Sequence, residues 1–223
     1  MKQIPLPIGS EAARSFANFV VGANSAAVTH LAALQPGAAP VYLWGPSGCG
    51  KTHLLQALIN RILAEGGRTA SFGAADAGEW VCDEQCSVIA IDDCERLTVE
   101  QQHGAFALFV QALAGRTTIV AAGQWPPVDM PLREDLRSRL GWGHVMALQP
   151  LSDPQVLAAL RRDADRRGIL LTDEVMTYLL NRYARDLKSL FDLLDRLDHF
   201  SLANKRNVTV PLLREMLAQE VRA

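Results

Sequence analysis

The sequence predicts an α/β domain built on a five-stranded parallel sheet, followed by a small domain that is entirely helical. Over residues 10–150, short apolar runs alternate with segments whose apolar residues recur at helical spacing. That alternation is typical of a parallel sheet whose strands are connected by helices. Beyond residue 150 only the helical spacing remains. We therefore expect an α/β domain at 10–150, a helical domain at 151–223, and an extended Pro-rich segment at 1–9.

Composition narrows the class of protein. The chain has 223 residues, of which 49% are hydrophobic and 21% are charged, and its net charge is −2. These values indicate a globular protein with a substantial core, and the bulk charge gives no sign of nucleic-acid binding. The N-terminus lacks the apolar core of a signal peptide, and no apolar run is long enough to span a membrane. We expect a cytoplasmic protein with no membrane partner, and therefore four reduced cysteines.

A glycine-rich loop follows the first predicted strand, Val41–Trp44, and precedes a segment with helical spacing. It reads G-x-x-x-x-G-K-T and comprises Gly45, Pro46, Ser47, Gly48, Cys49, Gly50, Lys51 and Thr52. Glycines let the backbone curl so that its N–H groups face phosphate oxygens, and the following helix adds positive potential. We expect Lys51 to contact the β- and γ-phosphates and Thr52 to ligate Mg²⁺. A chance turn is the alternative, which the flanking strand and helix disfavour.

Two carboxylates end another predicted strand. The buried run from Ser87 to Ile91 is followed by Asp92 and Asp93. In an open α/β sheet this end of the strand faces the phosphate loop, so we expect Asp92 to hold Mg²⁺, mostly through water. Asp93 would orient or polarise an attacking water. The alternative is that the pair simply caps a helix.

Three further features belong to the same domain. Phe16, Phe19 and Val20 form an apolar cluster before the loop strand, and the sequence leaves open whether it walls an adenine pocket or packs in the core. Gln124 follows the predicted fourth strand, 117–121, where a polar side chain would sense the γ-phosphate. The remaining predicted elements are a helix at about 25–34, strands at 68–72 and 145–148, a capped helix from Thr98 to about Ala114, and a charged helix at 133–140.

The second domain contains only helical patterns. Ser152 and Gln155 form a capping box for a helix that Gly168 ends, and Thr172 caps the next helix. The third helix places apolar residues on one face, namely Leu187, Leu190, Phe191, Leu194 and Leu197, and a last helix covers about 211–220. An α/β body with a helical lid is the outline of an AAA+ P-loop NTPase module.

Several motifs together resemble a known family. They are F-x-N-F-V-x-G at 16–22, the loop at 45–52, I-D-D at 91–93, Pro126-Pro127 and L-x-S-R-L-x-W-G at 136–143. In combination they resemble the bacterial replication initiator DnaA. The segment at 149–153 and the helix at 186–198 are more similar to the Hda family, the regulatory inactivator of DnaA. The resemblance covers nearly the whole chain, and we expect no counterpart of the initiator's helix-turn-helix or N-terminal oligomerisation domains.

The resemblance to Hda implies a function. Members bind a nucleotide, usually ADP, dock on the DNA-loaded polymerase III β sliding clamp, and make DnaA hydrolyse its ATP, which inhibits a second initiation. Arg139 would be the arginine finger supplied in trans, and Arg185 would touch the nucleotide of this same chain. On spacing alone, Arg139 would instead pair with Glu134 or Asp135, and Arg185 would be a helix-surface charge. A cytoplasmic, nucleoid-associated protein that contacts DNA mainly through the clamp is implied.

The N-terminal segment fits the same interpretation. Gln3, Leu6, Pro7 and Ile8 are similar to the clamp-binding peptide of Hda. From the residues alone, two prolines pre-set an extended backbone that could place Leu6 and Ile8 in a partner's pocket, and a frayed terminus is the alternative. The resemblance favours the clamp-binding interpretation.

Some features depart from the family and leave alternatives open. Gln124 and Trp125 stand where an Asp and an Arg are usual, and the short segment before Asp92 leaves little room for a DNA-binding insertion. The complete phosphate loop allows slow hydrolysis by the chain itself. The alternatives are a self-contained ATPase that loads a helicase on single-stranded DNA, and a binding module without a role in hydrolysis. ADP or ATP as ligand, and homo-oligomer formation, stay open.

Overall fold

The computed structural model describes residues 13–182 and 187–220, which divide into two compact units. One unit is Ala13–Pro150, and the other contains the described residues from Leu151 onward. Five residues with predicted roles lie outside the described residues, namely Gln3, Leu6, Pro7, Ile8 and Arg185. Among the described residues, no helix has the length and apolarity needed to cross a bilayer.

The α/β unit contains five strands and four helices. The strands are β1 (Val41–Trp44), β2 (Thr69–Gly73), β3 (Val88–Asp92), β4 (Thr118–Gly123) and β5 (His144–Ala147). The helices are α1 (Ser25–Ala32), α2 (Lys51–Ala64), α3 (Val99–Ala114) and α4 (Glu134–Leu140), with short 3-10 turns at Cys94–Arg96 and Pro127–Asp129. The predicted capping box of α3 is confirmed, because the Thr98 hydroxyl accepts from the Gln101 N–H while the Gln101 side chain accepts from the Thr98 N–H.

The five strands form one sheet in the order β2-β3-β4-β1-β5, and every neighbouring pair is parallel. This confirms the predicted five-stranded parallel sheet. The carboxyl ends of parallel strands lie at one edge, and β1 lies between β4 and β5 with Trp44 opposite Gly123. The phosphate loop after β1 therefore shares an edge with Asp92 of β3 and with the residues after β4.

Side chains from the central strands alternate between two apolar layers. Ile89, Ile91 and Ile119 pack with α3 and α4, whereas Val88 and Val120 pack with α1 and α2. Each central strand is therefore buried on both faces, which explains why its sequence is continuously apolar rather than alternating. The four cysteines are buried free thiols within these layers.

The bounds of β2, β3, β4 and β5 each differ from the predicted ones by one or two residues, and the reasons can be seen for β5 and β4. β5 begins at His144 and ends at Ala147, one residue earlier than predicted, because the His144 N–H donates to the Pro40 carbonyl at 2.8 Å and starts the pairing there. β4 continues to Gly123, two residues beyond the predicted end, because its pairing with β1 extends to Trp44.

The end of the α/β unit is tied to its beginning. The Leu148 N–H donates to the Trp44 carbonyl oxygen at 2.7 Å. The side-chain amide of Asn24, only 4% exposed, donates to the Gln149 carbonyl at 2.9 Å and accepts from the Gln149 N–H at 2.8 Å. Both main-chain groups of Gln149 are therefore satisfied by one buried side chain.

The second unit consists of four helices, α5 (Asp153–Arg167), α6 (Asp173–Arg182), α7 (Leu187–Asn204) and α8 (Val210–Glu220). The predicted stop after α5 is confirmed, since Gly168 adopts φ 72° and its N–H bonds back to the helix. The predicted apolar face of α7 packs in the core of this unit, where Leu190, Leu194 and Leu197 are fully buried. Arg167 pairs with Asp163 of its own helix and with Asp195 of α7.

Candidate functional site

The loop between β1 and α2 requires glycine at two positions. A Cβ at Gly45 would lie 2.4 Å from the Leu148 carbonyl oxygen, so no side chain fits there. Gly50 adopts φ 100°, and its Cβ would lie 2.5 Å from the ring of Phe19. Phe19 thus packs directly against the loop, as a wall of an adenine pocket would, and Val20 beside it is half-buried.

Lys51, the first residue of α2, is only 8% exposed. Its ammonium group donates to the carbonyl oxygens of Gly45 at 2.7 Å and Pro46 at 3.1 Å, so the charge lies over the loop itself. Cys49 turns inward beneath it, and burial raises the pKa of the Cys49 thiol. Pro46, Ser47 and Gly48 form the exposed rim of the loop. The loop therefore combines one buried cation with the N–H groups at the start of a helix, which suits a polyphosphate.

Thr52 and Asp92 meet at the edge of the sheet. The Thr52 side chain lies close enough to the Asp92 carboxylate to favour its ionised form. Burial raises the pKa of Asp92 above its ordinary value, while the Thr52 side chain and the nearby Lys51 charge oppose that shift. A hydroxyl and a half-buried carboxylate are oxygen ligands of the kind that Mg²⁺ prefers. The residues present therefore fit the predicted metal.

Asp93 leaves the strand in an uncommon backbone conformation. Its φ and ψ are 51° and 44°, in the left-handed region, and its N–H donates to the Asp92 carboxylate at 2.9 Å. This conformation costs a non-glycine residue about 1 kcal/mol, and Asp tolerates it better than most. The turn directs the chain into the 3-10 turn Cys94–Arg96 immediately after the strand.

The end of β4 is held by a residue that the sequence did not single out. The Gln124 N–H donates to the Glu95 carboxylate at 3.0 Å, and the Tyr42 hydroxyl donates to the Trp125 carbonyl at 2.9 Å. Gly123 lies between these contacts with no space for a Cβ, which would fall 2.2 Å from the Tyr42 hydroxyl oxygen. The main chain beside Gln124 is thus fixed, whereas its side chain is exposed.

Arg139 lies in the last turn of α4 and has aromatic neighbours. Its guanidinium carbon lies 5.8 Å from the ring centre of Phe106 and 5.6 Å from that of Trp142. Within residues 13–182 and 187–220 it forms no ion pair. Asp135, one predicted alternative partner, is bound by Arg133 at 2.6 Å, and Glu134 does not pair with Arg139 either. Phe106 carried no signal in the sequence, because it is 33 positions from Arg139.

Comparisons with known protein families match different parts of the chain. A family described as the lid domain of Hda matches residues 153–217, and the bacterial DnaA ATPase domain matches residues 11–70. A third family, described as RNA helicase, matches residues 41–120, which contain β1, the phosphate loop, β2, β3 and the first half of β4.

Solved structures share the fold at low sequence identity. Domain III of the replication initiation protein DnaA from Thermotoga maritima is 20% identical with a TM-score of 0.74, over 95% of this chain and 98% of that one. AMPPCP-bound DnaA from Aquifex aeolicus is 23% identical with a TM-score of 0.66, over 83% of this chain and 66% of that one. RuvB, the Holliday junction branch migration motor of Thermotoga maritima, is 16% identical with a TM-score of 0.60, over 81% and 61%.

These matches agree with the geometry of the two units. The α/β unit has the sheet, the phosphate loop and the paired carboxylates of a nucleotide-binding domain, and the helical unit matches a lid family. Since the Hda lid and the DnaA ATPase domain match separate segments, and the fold of DnaA domain III spans nearly the whole chain, the chain is an Hda/DnaA-like AAA+ protein.

Proposed function

We propose that this protein is a nucleotide-bound regulator of chromosome replication initiation that stimulates hydrolysis of DnaA-bound ATP and so prevents re-initiation. The observation that carries the proposal is Arg139, a half-exposed cation at the end of α4 that forms no ion pair with any described residue. In a chain with a DnaA-type fold and an Hda-type lid, such a cation suits the phosphates of a nucleotide held by a partner.

The chemistry of phosphoryl transfer explains why an unpaired arginine is useful. Negative charge spreads over the oxygens of the transferred group in the transition state, and a guanidinium supplied in trans is worth roughly 10³–10⁵ in rate. A carboxylate paired with Arg139 would have to be displaced before the guanidinium could act. Arg133, which Asp135 neutralises in the preceding turn, illustrates the arrangement that would not serve.

We assign the loop of this chain to its own nucleotide, ADP or ATP. Lys51 would leave the Gly45 and Pro46 carbonyls to contact phosphate oxygens, and Thr52 with Asp92 would hold Mg²⁺. The metal, when bound, neutralises phosphate charge. Phe19 and Val20 would face the base.

Other assignments complete the proposed site. Asp93 and Gln124 would act on the γ-phosphate side if the chain hydrolyses its own nucleotide, and Arg185 would contact that nucleotide from the lid. The rim residues of the loop, Pro46 to Gly48, would present their main chain to the phosphates.

Recruitment to DNA is the second part of the proposal. Gln3, Leu6, Pro7 and Ile8 would bind the polymerase III β sliding clamp, so that DNA is contacted mainly through the clamp. A fluorescently labelled peptide of residues 1–10 should bind the isolated clamp, and the same peptide with Leu6 and Ile8 changed to alanine should not. Equal binding of the two peptides would show that Leu6 and Ile8 do not bind the clamp.

Hydrolysis of ATP by DnaA, with DNA-loaded clamp and this protein, tests the central proposal. We expect the wild type to accelerate hydrolysis and Arg139→Ala to lower the accelerated rate by roughly 10³-fold or more. Arg137→Ala is the matched control, because it removes a half-exposed arginine from the same helix and should keep the stimulation. Stimulation that survives in Arg139→Ala would rule out the proposed role of the finger.

A further inference from the structure

We propose that Trp142 and Phe106 are positioning residues that hold the Arg139 guanidinium ready for a phosphate group. The inference rests on the proposed function of Arg139 and adds a specific device to it. Both rings lie within 6 Å of the guanidinium carbon, the range over which a cation is attracted to an aromatic ring.

The rings hold the cation without neutralising it. A carboxylate partner would satisfy the guanidinium N–H groups and cancel its charge, whereas an aromatic ring attracts the cation through its quadrupole and leaves those donors available. Arg139 forms no hydrogen bond through its side chain to another described residue, so these N–H groups stay available to an incoming anion. Restriction by the rings also lowers the rotamer entropy that a long side chain loses on binding.

The main chain of Trp142 is anchored on both sides. Its N–H donates to the Arg139 carbonyl at 3.3 Å, which closes the turn after α4. Gly143 then passes so close to Pro40 that a Cβ would lie 1.9 Å from the Pro40 carbonyl oxygen, and His144 enters β5. The exposed indole therefore stands on a short, fixed connection between α4 and the sheet.

Phe106 supplies the second contact from another element. It lies half-buried on α3, between Ala105 and Leu108, which are both in the core. Since one ring comes from α3 and the other from the segment after α4, the guanidinium is held by two elements of the same rigid unit. A half-buried Phe106 is also less able than Trp142 to touch a partner directly, which makes it a useful second probe.

The first test measures stimulated ATP hydrolysis by DnaA for Trp142→Leu, Phe106→Leu and the double variant. We expect the maximal rate to fall roughly 3- to 10-fold for each single variant and further for the double variant, because the guanidinium is displaced or more mobile. Trp142→Phe, which keeps an aromatic ring, should restore much of the loss. Val128→Ala removes an exposed apolar side chain elsewhere on the unit and should keep the wild-type rate.

A double-mutant cycle separates positioning from direct contact or a general loss of structure. In the Arg139→Ala background, the Leu substitutions should cause no further loss of the maximal rate. A further loss there would show that the rings act independently of Arg139 and would overturn the inference.

The second test observes Arg139 directly in the protein alone. The Nε–H resonance of Arg139 should show a ring-current shift in the wild type that each Leu substitution reduces, while the Nε–H resonance of Arg133 stays unchanged. An Arg139 resonance that is the same in all variants would contradict the positioning role.

The outcomes distinguish the two proposals. If Arg139→Ala keeps full stimulation, the proposed function fails and the catalytic purpose of the rings fails with it. If Arg139→Ala loses stimulation but both Leu variants keep it, only the positioning role is wrong.

Discussion

Two cations of the α/β unit, Lys51 and Arg139, are held in opposite ways. Lys51 is 8% exposed, and its ammonium group donates to two carbonyl oxygens of its own loop. Arg139 is half-exposed, lies near two aromatic rings, and forms no ion pair within the described residues. Lys51 is therefore buried in a loop that its own hydrogen bonds help to shape, whereas Arg139 is accessible at the end of a helix.

The difference indicates which ligand each cation serves. A compact ammonium that exchanges carbonyl oxygens for phosphate oxygens suits a nucleotide enclosed by its own chain. A planar guanidinium that keeps its donors unpaired suits an anion presented by another molecule, because no internal bond has to break first. The proposed function therefore divides into binding by Lys51 and activation in trans by Arg139.

Removal of each cation should separate the two functions. Lys51→Ala should weaken binding of ADP or ATP by roughly 10²-fold or more, since it removes charge-assisted hydrogen bonds worth about 1.5–3 kcal/mol each. Arg139→Ala should bind nucleotide like the wild type. Titration with a fluorescent nucleotide measures both affinities. Equal losses of affinity in the two variants would show that the two cations do not have separate functions.

A smaller effect should follow from adding a side chain to the turn that carries Trp142, the aromatic neighbour of Arg139. Gly143→Ala places a methyl group 1.9 Å from the Pro40 carbonyl oxygen, so the backbone has to move, and we expect a loss of about 2–4 kcal/mol in the free energy of unfolding. Gly141→Ala is the control, because its nearest contact is 3.5 Å away and its φ is −84°. Urea unfolding measures both, and an unchanged midpoint for Gly143→Ala would mean that the turn beside Arg139 is not rigid.

The smallest predicted effect concerns the carboxylate beside Lys51. Burial raises the folded-state pKa of Asp92 above 3.8, so the folded state binds the proton more tightly than the unfolded state and the ionised group destabilises the fold at higher pH. Asp92→Asn should therefore raise the urea midpoint of the ligand-free protein at pH 7.5 while it weakens the Mg²⁺ dependence of nucleotide binding. The gain over wild type should shrink as the pH falls toward 3.8.

A gain that stays the same from pH 7.5 down to pH 3.8 would show that relief of a buried charge is not its cause. Thr52→Val at the same site tests the other ligand, since it keeps the shape of the side chain and removes the hydroxyl.

Much of the fold follows from local patterns. β1, the loop and α2 are defined by 24 consecutive residues, Val41–Ala64, in which the apolar period changes from strand to helix across three glycines. The caps of α3 and α5 were predictable because a capping box spans four residues. The start of β5 was not predictable, since it depends on a hydrogen bond to the carbonyl of Pro40, more than a hundred positions earlier.

The candidate site divides in the same manner. The phosphate loop and the carboxylates at the end of β3 can be recognised from the sequence, because each of them comes from one short segment. The residues that contact Gln124 and Arg139 cannot be recognised in this way, because they come from distant segments. Glu95 contacts Gln124, and Phe106 contacts Arg139. No periodicity links such pairs, so only the folded chain reveals them.

The bond between Asn24 and Gln149 has a mechanical consequence. With both main-chain groups of Gln149 clamped and Leu148 hydrogen bonded to β1, the chain leaves the α/β unit in a fixed direction. Pro150, the next residue, has its own φ restricted by its ring. The clamp also fixes Leu148, whose carbonyl oxygen lies where a side chain at Gly45 of the phosphate loop would be, so the end of the α/β unit helps to set the shape of that loop.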